Sequence, residues 1–355
     1  MPVEFWTSGR GLAASGDPSA FTSAKQAQRA EELGFDGITF VDSQNRASDC
    51  YVALTVAAHA TTRLKLGTGV TNSFTRHPAV TASAIAAIQA ESGGRAYLGI
   101  GRGDSALAHL GLAPHAVPKF ERYLEQLQGY LRGEDVAFGE TDVHVLGLAD
   151  TPDASQIEWL NPSYPKVPVD VAATGPRVIA AAARHVEQVS LAVGGDPQRI
   201  SWGMDVARQA RSEAGLDPEI SFAAYLPTVV HDDPEVALSI GSAGLSLFAR
   251  FSNMYGEIVG PVSETQRDVL TKIHDSYDMH GHAREGSPQS AQVTQEFAGT
   301  FGVFGPPDYC VQRLGELIEM GVSRFMIAGT TLNPSHPNSE CSERFVGEVI
   351  PQLRR

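Results

Sequence analysis

Eight short apolar runs recur along the chain, most of them separated by stretches with helical spacing, and this alternation limits the fold more than any other feature. The spacing predicts strands near residues 3–6, 37–41, 64–67, 96–100, 167–172, 187–193, 220–230 and 323–328. It predicts helices near 19–33, 49–60, 78–91, 105–110, 117–131, 176–185, 197–214, 307–320 and 340–353. Runs such as "GITFV" and "RFMIA" are apolar at successive positions, as strands covered on both faces are. Eight such units in one chain point to an α/β fold of the closed (β/α)8, or TIM, barrel type. An open doubly wound sheet is the alternative.

The chain of 355 residues is 42% hydrophobic, enough for a large core, and a barrel of this kind is one domain despite its length. We expect a single domain over residues 1–355 with two insertions, at 133–166 after strand four and at 239–305 after strand seven. The first is rich in Asp, Pro and Gly. The second holds an apolar helical stretch, "GLSLFARFSNMYG", and a polar loop, "MHGHAREGSPQSAQ". Insertions of this size cover an active site or form a partner surface.

A net charge of −14 opposes nucleic acid and anionic membranes as partners. No apolar run is long enough to cross a bilayer, and the N-terminal stretch lacks the pattern of a signal peptide. Cys50, Cys310 and Cys341 stand far apart without CxxC spacing. They fit buried thiols in a cytoplasmic protein, with a disulfide as the other reading.

In such a barrel the chemistry gathers at the C-terminal ends of the strands. Strand two is followed by Asp42, Ser43, Gln44, Asn45 and Arg46, and strand three by Gly67, Thr68, Gly69, Val70, Thr71 and Asn72. Strand four leads into Gly101, Arg102, Gly103 and Asp104, and strand six into Gly194. After strand five, Ala173, Thr174, Gly175, Pro176 and Arg177 open a helix. Thr174 suits an N-cap and Pro176 a first helical position. Gly175 lets a ligand approach the backbone, so this helix start with Arg177 can cradle a phosphate. An ordinary capped helix reads the same way. "GIGRGD" is not a dinucleotide fingerprint, because Asp104 stands where the third glycine belongs. For Asp104 itself, capping of the helix at Ser105 competes with a site role.

Other chemistries lack support. The chain has no HExxH, GxxxxGK[ST] or GxSxG motif. His280 and His282 sit in a polar loop without a matching ligand cluster, so no metal is expected.

The stretches "GFDGITFVDS", "LKLGTGVTNSFTRHPAVTA", "YLGIGRGDSALAHLG" and "DVAATGPRVIAAAARHVEQV" resemble the bacterial-luciferase-like superfamily of flavin and deazaflavin enzymes. They are most similar to its methylenetetrahydromethanopterin-reductase-like branch, and the resemblance returns at "FGPPDYCVQRLGELIEMGVSRFMIAG". It implies a (β/α)8 barrel that holds coenzyme F420 or FMN at its C-terminal rim, transfers hydride, and forms a homodimer. It also implies a cis Gly69–Val70 peptide against the ring. Asp42, Gly69, Val70, Thr71, Asn72, Arg102, Gly103, Asp104, Ala173, Thr174, Gly175, Pro176, Arg177 and Gly194 match cofactor-binding positions. Asp104, Asp42 and Ser43 match catalytic ones. Alcohol and sugar-phosphate dehydrogenases of the family carry Asp-His after strand two, where this chain has Asp42-Ser43. The expected activity is therefore hydride transfer between F420 and an organic substrate such as an activated double bond, imine or nitroaromatic. An FMN-dependent monooxygenase and a non-catalytic flavin-binding barrel are the alternatives. The segment Gly244 to Tyr255 and Trp159 have two equal readings, as the lining of an apolar pocket or as packing against the barrel.

Overall fold

A computed structural model of the chain describes residues 2–9, 22–139, 147, 149–329 and 331–354. Eight parallel strands carry the fold: β1 (Glu4–Gly9), β2 (Gly37–Phe40), β3 (Lys65–Thr68), β4 (Ala96–Gly101), β5 (Val169–Ala173), β6 (Gln188–Leu191), β7 (Ser221–Val230) and β8 (Val322–Ala328). Each pairs with the next, and β8 pairs with both β7 and β1, which closes the barrel. The sequence-based expectation of a closed barrel, not an open sheet, is met.

Helices alternate with the strands: α1 (Ser23–Leu33), α2 (Cys50–Ala60), α3 (Pro78–Glu91), α4 (Val117–Arg132), α5 (Pro176–His185) and α6 (Pro197–Glu213). Their starts are written locally. Thr22 accepts from Lys25 N ahead of α1, Asp49 from Tyr51 and Val52 ahead of α2, and Asp196 from Gln198 ahead of α6. Helix α3 begins on Pro78, with the His77 ring accepting from Ala79 N. Because helix starts follow strand ends, these caps line the same rim as the candidate site.

Several boundaries differ from the sequence-based reading. The first strand runs on to Gly9, since its register with β2 continues through Gly9 and Phe40. The residues expected to start the first helix at 19–21 lie outside the described residues. The last helix is not continuous: Ser339–Arg344 passes through a π-turn, Phe345–Val349, into Ile350–Leu353, where Pro351 cannot donate to the ladder.

After β4, the chain forms a short helix, Ser105–Ala108, then α4, then an antiparallel pair of two-residue strands, Val136–Ala137 and Ala154–Ser155. After β7 come α7 (Pro234–Ala249), a 3-10 turn (Arg250–Asn253), α8 (Glu264–Asp275) and α9 (Gln295–Phe301). The short strand Val303–Gly305 then pairs in parallel with the end of β7. Val269, Leu270 and Ile273 of α8 and Phe297 and Phe301 of α9 give this second insertion its own apolar cluster.

The barrel is filled below the rim. Trp6, Tyr97 and Met326 cluster inside it with Tyr225. The Arg324 guanidinium lies 4.6 Å from the Trp6 ring and 4.1 Å from the Tyr97 ring, and its Nε bonds Glu4 at 3.0 Å. Trp6, Tyr97, Asp170 and Arg324 all sit in the first half of their strands. A plugged floor leaves the C-terminal rim as the place for a ligand.

Candidate active site

The loop after β3 bends sharply onto its neighbours. Gly69 N donates to Phe40 O at 2.8 Å, the Gly69–Val70 peptide is cis, and Thr71–Asn72 then form a short strand beside β4. Glycine is required here: a Cβ on Gly69 would lie 2.2 Å from Thr39 Oγ1. Across the gap, a Cβ on Gly99 would lie 2.4 Å from the Thr68 carbonyl oxygen. The small residues of "LGTGVTN" are thus spent on close backbone approach.

Asn72 ties the next turn, its Oδ1 accepting from Phe74 N and Thr75 N at 2.9 Å each. Its Nδ2 is buried and has no partner. An orphaned amide beside the bulge is a donor waiting for an acceptor.

Asp42, two residues beyond β2, is buried and fully engaged. Oδ2 accepts from Thr71 Oγ1 at 2.6 Å and Arg76 Nη1 at 2.9 Å, and Oδ1 from Gln44 Nε2 at 2.6 Å. Arg76 also reaches Asp49 at 2.6 Å and lies 4.6 Å over the Tyr51 ring. Burial weighs against the Arg76 charge, yet Asp42 foremost raises its pKa. Burial, reinforced by Asp42, pushes the neighbouring Cys50 thiol up. Ser43 is half-buried, and its carbonyl accepts from Arg46 N and Ala47 N at 2.9 Å each.

After β4, Arg102 Nε donates to His115 O at 2.7 Å. The His115 ring bonds Ser73 at 3.2 Å and packs 4.7 Å from Phe74. Burial, then the charges of Lys119 and Arg102, hold the His115 pKa down. Gly103 has φ +94, and a Cβ there would run into Leu107 at 2.4 Å. Asp104 occupies the N-cap position but makes no capping bond, so the capping reading fails. Its carboxylate instead pairs with Arg250 from the second insertion.

After β5, Ala173 is buried, with its carbonyl accepting from Ala192 N at 2.9 Å. Thr174 does not cap the helix as the sequence suggested: its hydroxyl donates to Ala192 O at 3.1 Å. Gly175 is the N-cap of α5, without a side-chain cap, and no atom lies within 4 Å of where its Cβ would be. Pro176 and Arg177 follow, both exposed. That leaves an open helix start with a cation beside it. Gly194, at φ +84, is buried against Phe301 and faces the second insertion.

The structure therefore brings the ends of β2, β3 and β4 together through Asp42, Thr71, Asn72 and the strand pairing, and sets the start of α5 beside them, since β5 neighbours β4. Arg250, Arg76 and His115 are the residues that sequence reasoning passed over. The candidate pocket segment is mixed: Phe248 stacks 5.7 Å from Tyr225, whereas Tyr255 and Trp159 are exposed. His282 bonds Tyr277 at 2.8 Å, and among the described residues no group of three His, Cys, Asp or Glu is placed to hold a metal ion.

A plugged barrel with a bulged third strand end leaves its polar strand ends together at one rim, the arrangement implied by the sequence resemblance to the luciferase-like family. The chain belongs to that family: the family model described as luciferase-like monooxygenase matches residues 1–324. It is similar to the 5,10-methylenetetrahydromethanopterin reductase of Methanolobus tindarius, at 29% identity over 92% of this chain and 94% of that one. It is 25% identical to the F420-dependent glucose-6-phosphate dehydrogenase of Microbacterium testaceum, over 92% of this chain and 91% of that one. Among solved structures, the coenzyme F420 dependent tetrahydromethanopterin reductase of Methanopyrus kandleri superposes with a TM-score of 0.73 at 23% identity, covering 99% of this chain and 100% of that one.

Proposed function

We propose that the chain is an F420-dependent oxidoreductase that passes hydride between the reduced deazaflavin and an organic substrate. The observation that carries this is its end-to-end similarity to a reductase and to an F420-dependent dehydrogenase, 92% of the chain in each case. The rim residues fit the cofactor. The open helix start at Gly175, with Arg177, suits a phosphate. The unpartnered Asn72 Nδ2 suits a ring carbonyl. Bound there, a deazaflavin would supply the hydride chemistry, and the chain would bind and orient it. The residues that would hold it are the bulge at Gly69 and Val70, with Arg102 and Asp104 as the charged groups at the end of β4. Asp42 holds the bulge through Thr71. Ser43 in place of a histidine favours substrates reduced at an activated double bond, imine or nitroaromatic group.

The family description favours a second reading, an FMN-dependent monooxygenase using the same rim. A homodimer accords with the exposed valines Val52 and Val56, one turn apart on α2, and Val80 on α3. The buried free thiols suit a reducing compartment such as the cytoplasm. The test is to titrate the apo chain with F420 and with FMN by intrinsic fluorescence, then follow hydride exchange. F420 binding with exchange is expected. FMN binding with oxygen-dependent product and no F420 binding would replace the first reading with the second.

A further inference from the structure

The loops at the barrel mouth are tied to the second insertion by one chain of contacts. Arg46, after β2, donates to His282 O at 3.0 Å. The His282 ring bonds the Tyr277 hydroxyl at 2.8 Å. The Tyr277 ring lies 4.6 Å below the Arg250 guanidinium, which also lies 5.1 Å from the Phe251 ring. Arg250 then pairs with Asp104, after β4.

The pair is poorly explained as a stabilising device. The Arg250 side chain is 8% exposed, and its Nε is buried without a partner. Asp104 is partly exposed, at 22%, and an ion pair of this kind adds little net stability, because desolvation and solvent screening offset the attraction. What the pair does supply is direction. Gly103 turns the backbone with positive φ, Asp104 receives no capping bond, and Arg250 is the partner that fixes where the carboxylate stands. Two aromatic rings fix Arg250 in turn.

We propose that Arg250 is the positioning residue for Asp104, so that the acid at the end of β4 is correctly placed only when the second insertion is seated on the rim. This rests on the deazaflavin reading for what Asp104 faces, but the latch itself is a property of the chain without cofactor. Arg250→Met, Arg250→Lys, Asp104→Asn and the double variant Asp104→Asn with Arg250→Met test it. Hydrogen–deuterium exchange of the apo chain is followed at residues 102–112 and 276–283, and F420 affinity is followed by fluorescence.

Arg250→Met is expected to speed exchange in both segments and to weaken F420 binding by about tenfold. Asp104→Asn should do the same, with no further loss in the double variant. Arg250→Lys, which keeps the charge but loses the planar group packed on the two rings, should restore part of both. Unchanged exchange at 102–112 in Arg250→Met, or losses that add in the double variant, would overturn the proposal. If F420 fails to bind the unaltered chain, the functional reading falls, and the exchange data alone then decide the latch.

Discussion

Asp42 and Thr71 face each other across the loops after β2 and β3, the threonine hydroxyl donating to the carboxylate at 2.6 Å. The same carboxylate oxygen takes Arg76 at 2.9 Å, so one buried acid holds both ends of the segment from Thr71 to Arg76. With Gln44 on its other oxygen, both carboxylate oxygens of Asp42 are hydrogen-bonded. Its work in this arrangement is to hold the third strand end in shape.

Asp42→Asn keeps the volume but swaps an acceptor for a donor and removes the charge that Arg76 faces. Removing one partner of a buried pair costs about 3–5 kcal/mol, and the Asp49 contact that Arg76 retains should bring this to the lower end. Urea unfolding checks the loss. F420 affinity should fall along with stability. Lost turnover with unchanged stability and affinity would instead make Asp42 a chemical participant.

Asp170 gives a pH signature. It is fully buried in the barrel floor, where burial raises its pKa to about 6 from 3.8, against the Ser190 hydrogen bond and the Arg324 charge. The folded chain therefore holds this proton more tightly than the unfolded chain. The resulting stabilisation is fully present below the unfolded value and is lost as pH rises through about 6. The stability difference between the unaltered chain and Asp170→Asn should fall by about 2–3 kcal/mol from pH 4 to 7, read by urea unfolding across that range. A flat difference would show that Asp170 does not titrate there.

The thiols should be silent in the native state. Cys50, Cys310 and Cys341 are free and buried. Burial pushes the Cys310 thiol up to about 12. Burial also raises Cys50 and Cys341. A disulfide-exchange reagent at pH 8 should react with the native chain slowly and with three thiols after denaturation in guanidinium. Prompt reaction of any one in the native chain would place it at the surface.

The barrel was legible because each parallel strand is covered on both faces and so leaves a run of successive buried, mostly apolar residues, as at Ile38 to Phe40 and Phe325 to Ile327. The strand-end residues were legible for a related reason: a glycine such as Gly69 marks a place where no side chain fits. Side-chain partners were not. Asp104 read equally as a cap or a site residue, and its partner Arg250 lies 146 residues away in an insertion that obeys no repeat. The signal for Arg250 was a lone arginine within "GLSLFARFSNMYG", where an apolar stretch tolerates a charge only if something meets it. Thr174 shows the opposite error. Its position suited a cap, but a strand-end carbonyl, Ala192 O, took the hydroxyl first.

Gly175→Ala separates ligand binding from folding more cleanly than any charge change at the rim. Gly175 has φ −84 and ψ 149, which alanine adopts without strain, and nothing stands within 4 Å of the new methyl. Stability should change by less than about 1 kcal/mol, the scale on which alanine is a poorer N-cap than glycine. Gly99→Ala is the contrast, because its methyl would meet the Thr68 carbonyl at 2.4 Å. That substitution should cost about 1–3 kcal/mol by overpacking, with cofactor affinity falling only as the fold does. At Gly175 the order reverses. The methyl stands over the start of α5, where a phosphate would approach the backbone, so F420 and FMN should each bind about tenfold more weakly while the unfolding midpoint holds. Fluorescence titration and thermal unfolding of the two variants side by side check both halves. Full affinity in Gly175→Ala would move the phosphate away from this helix start.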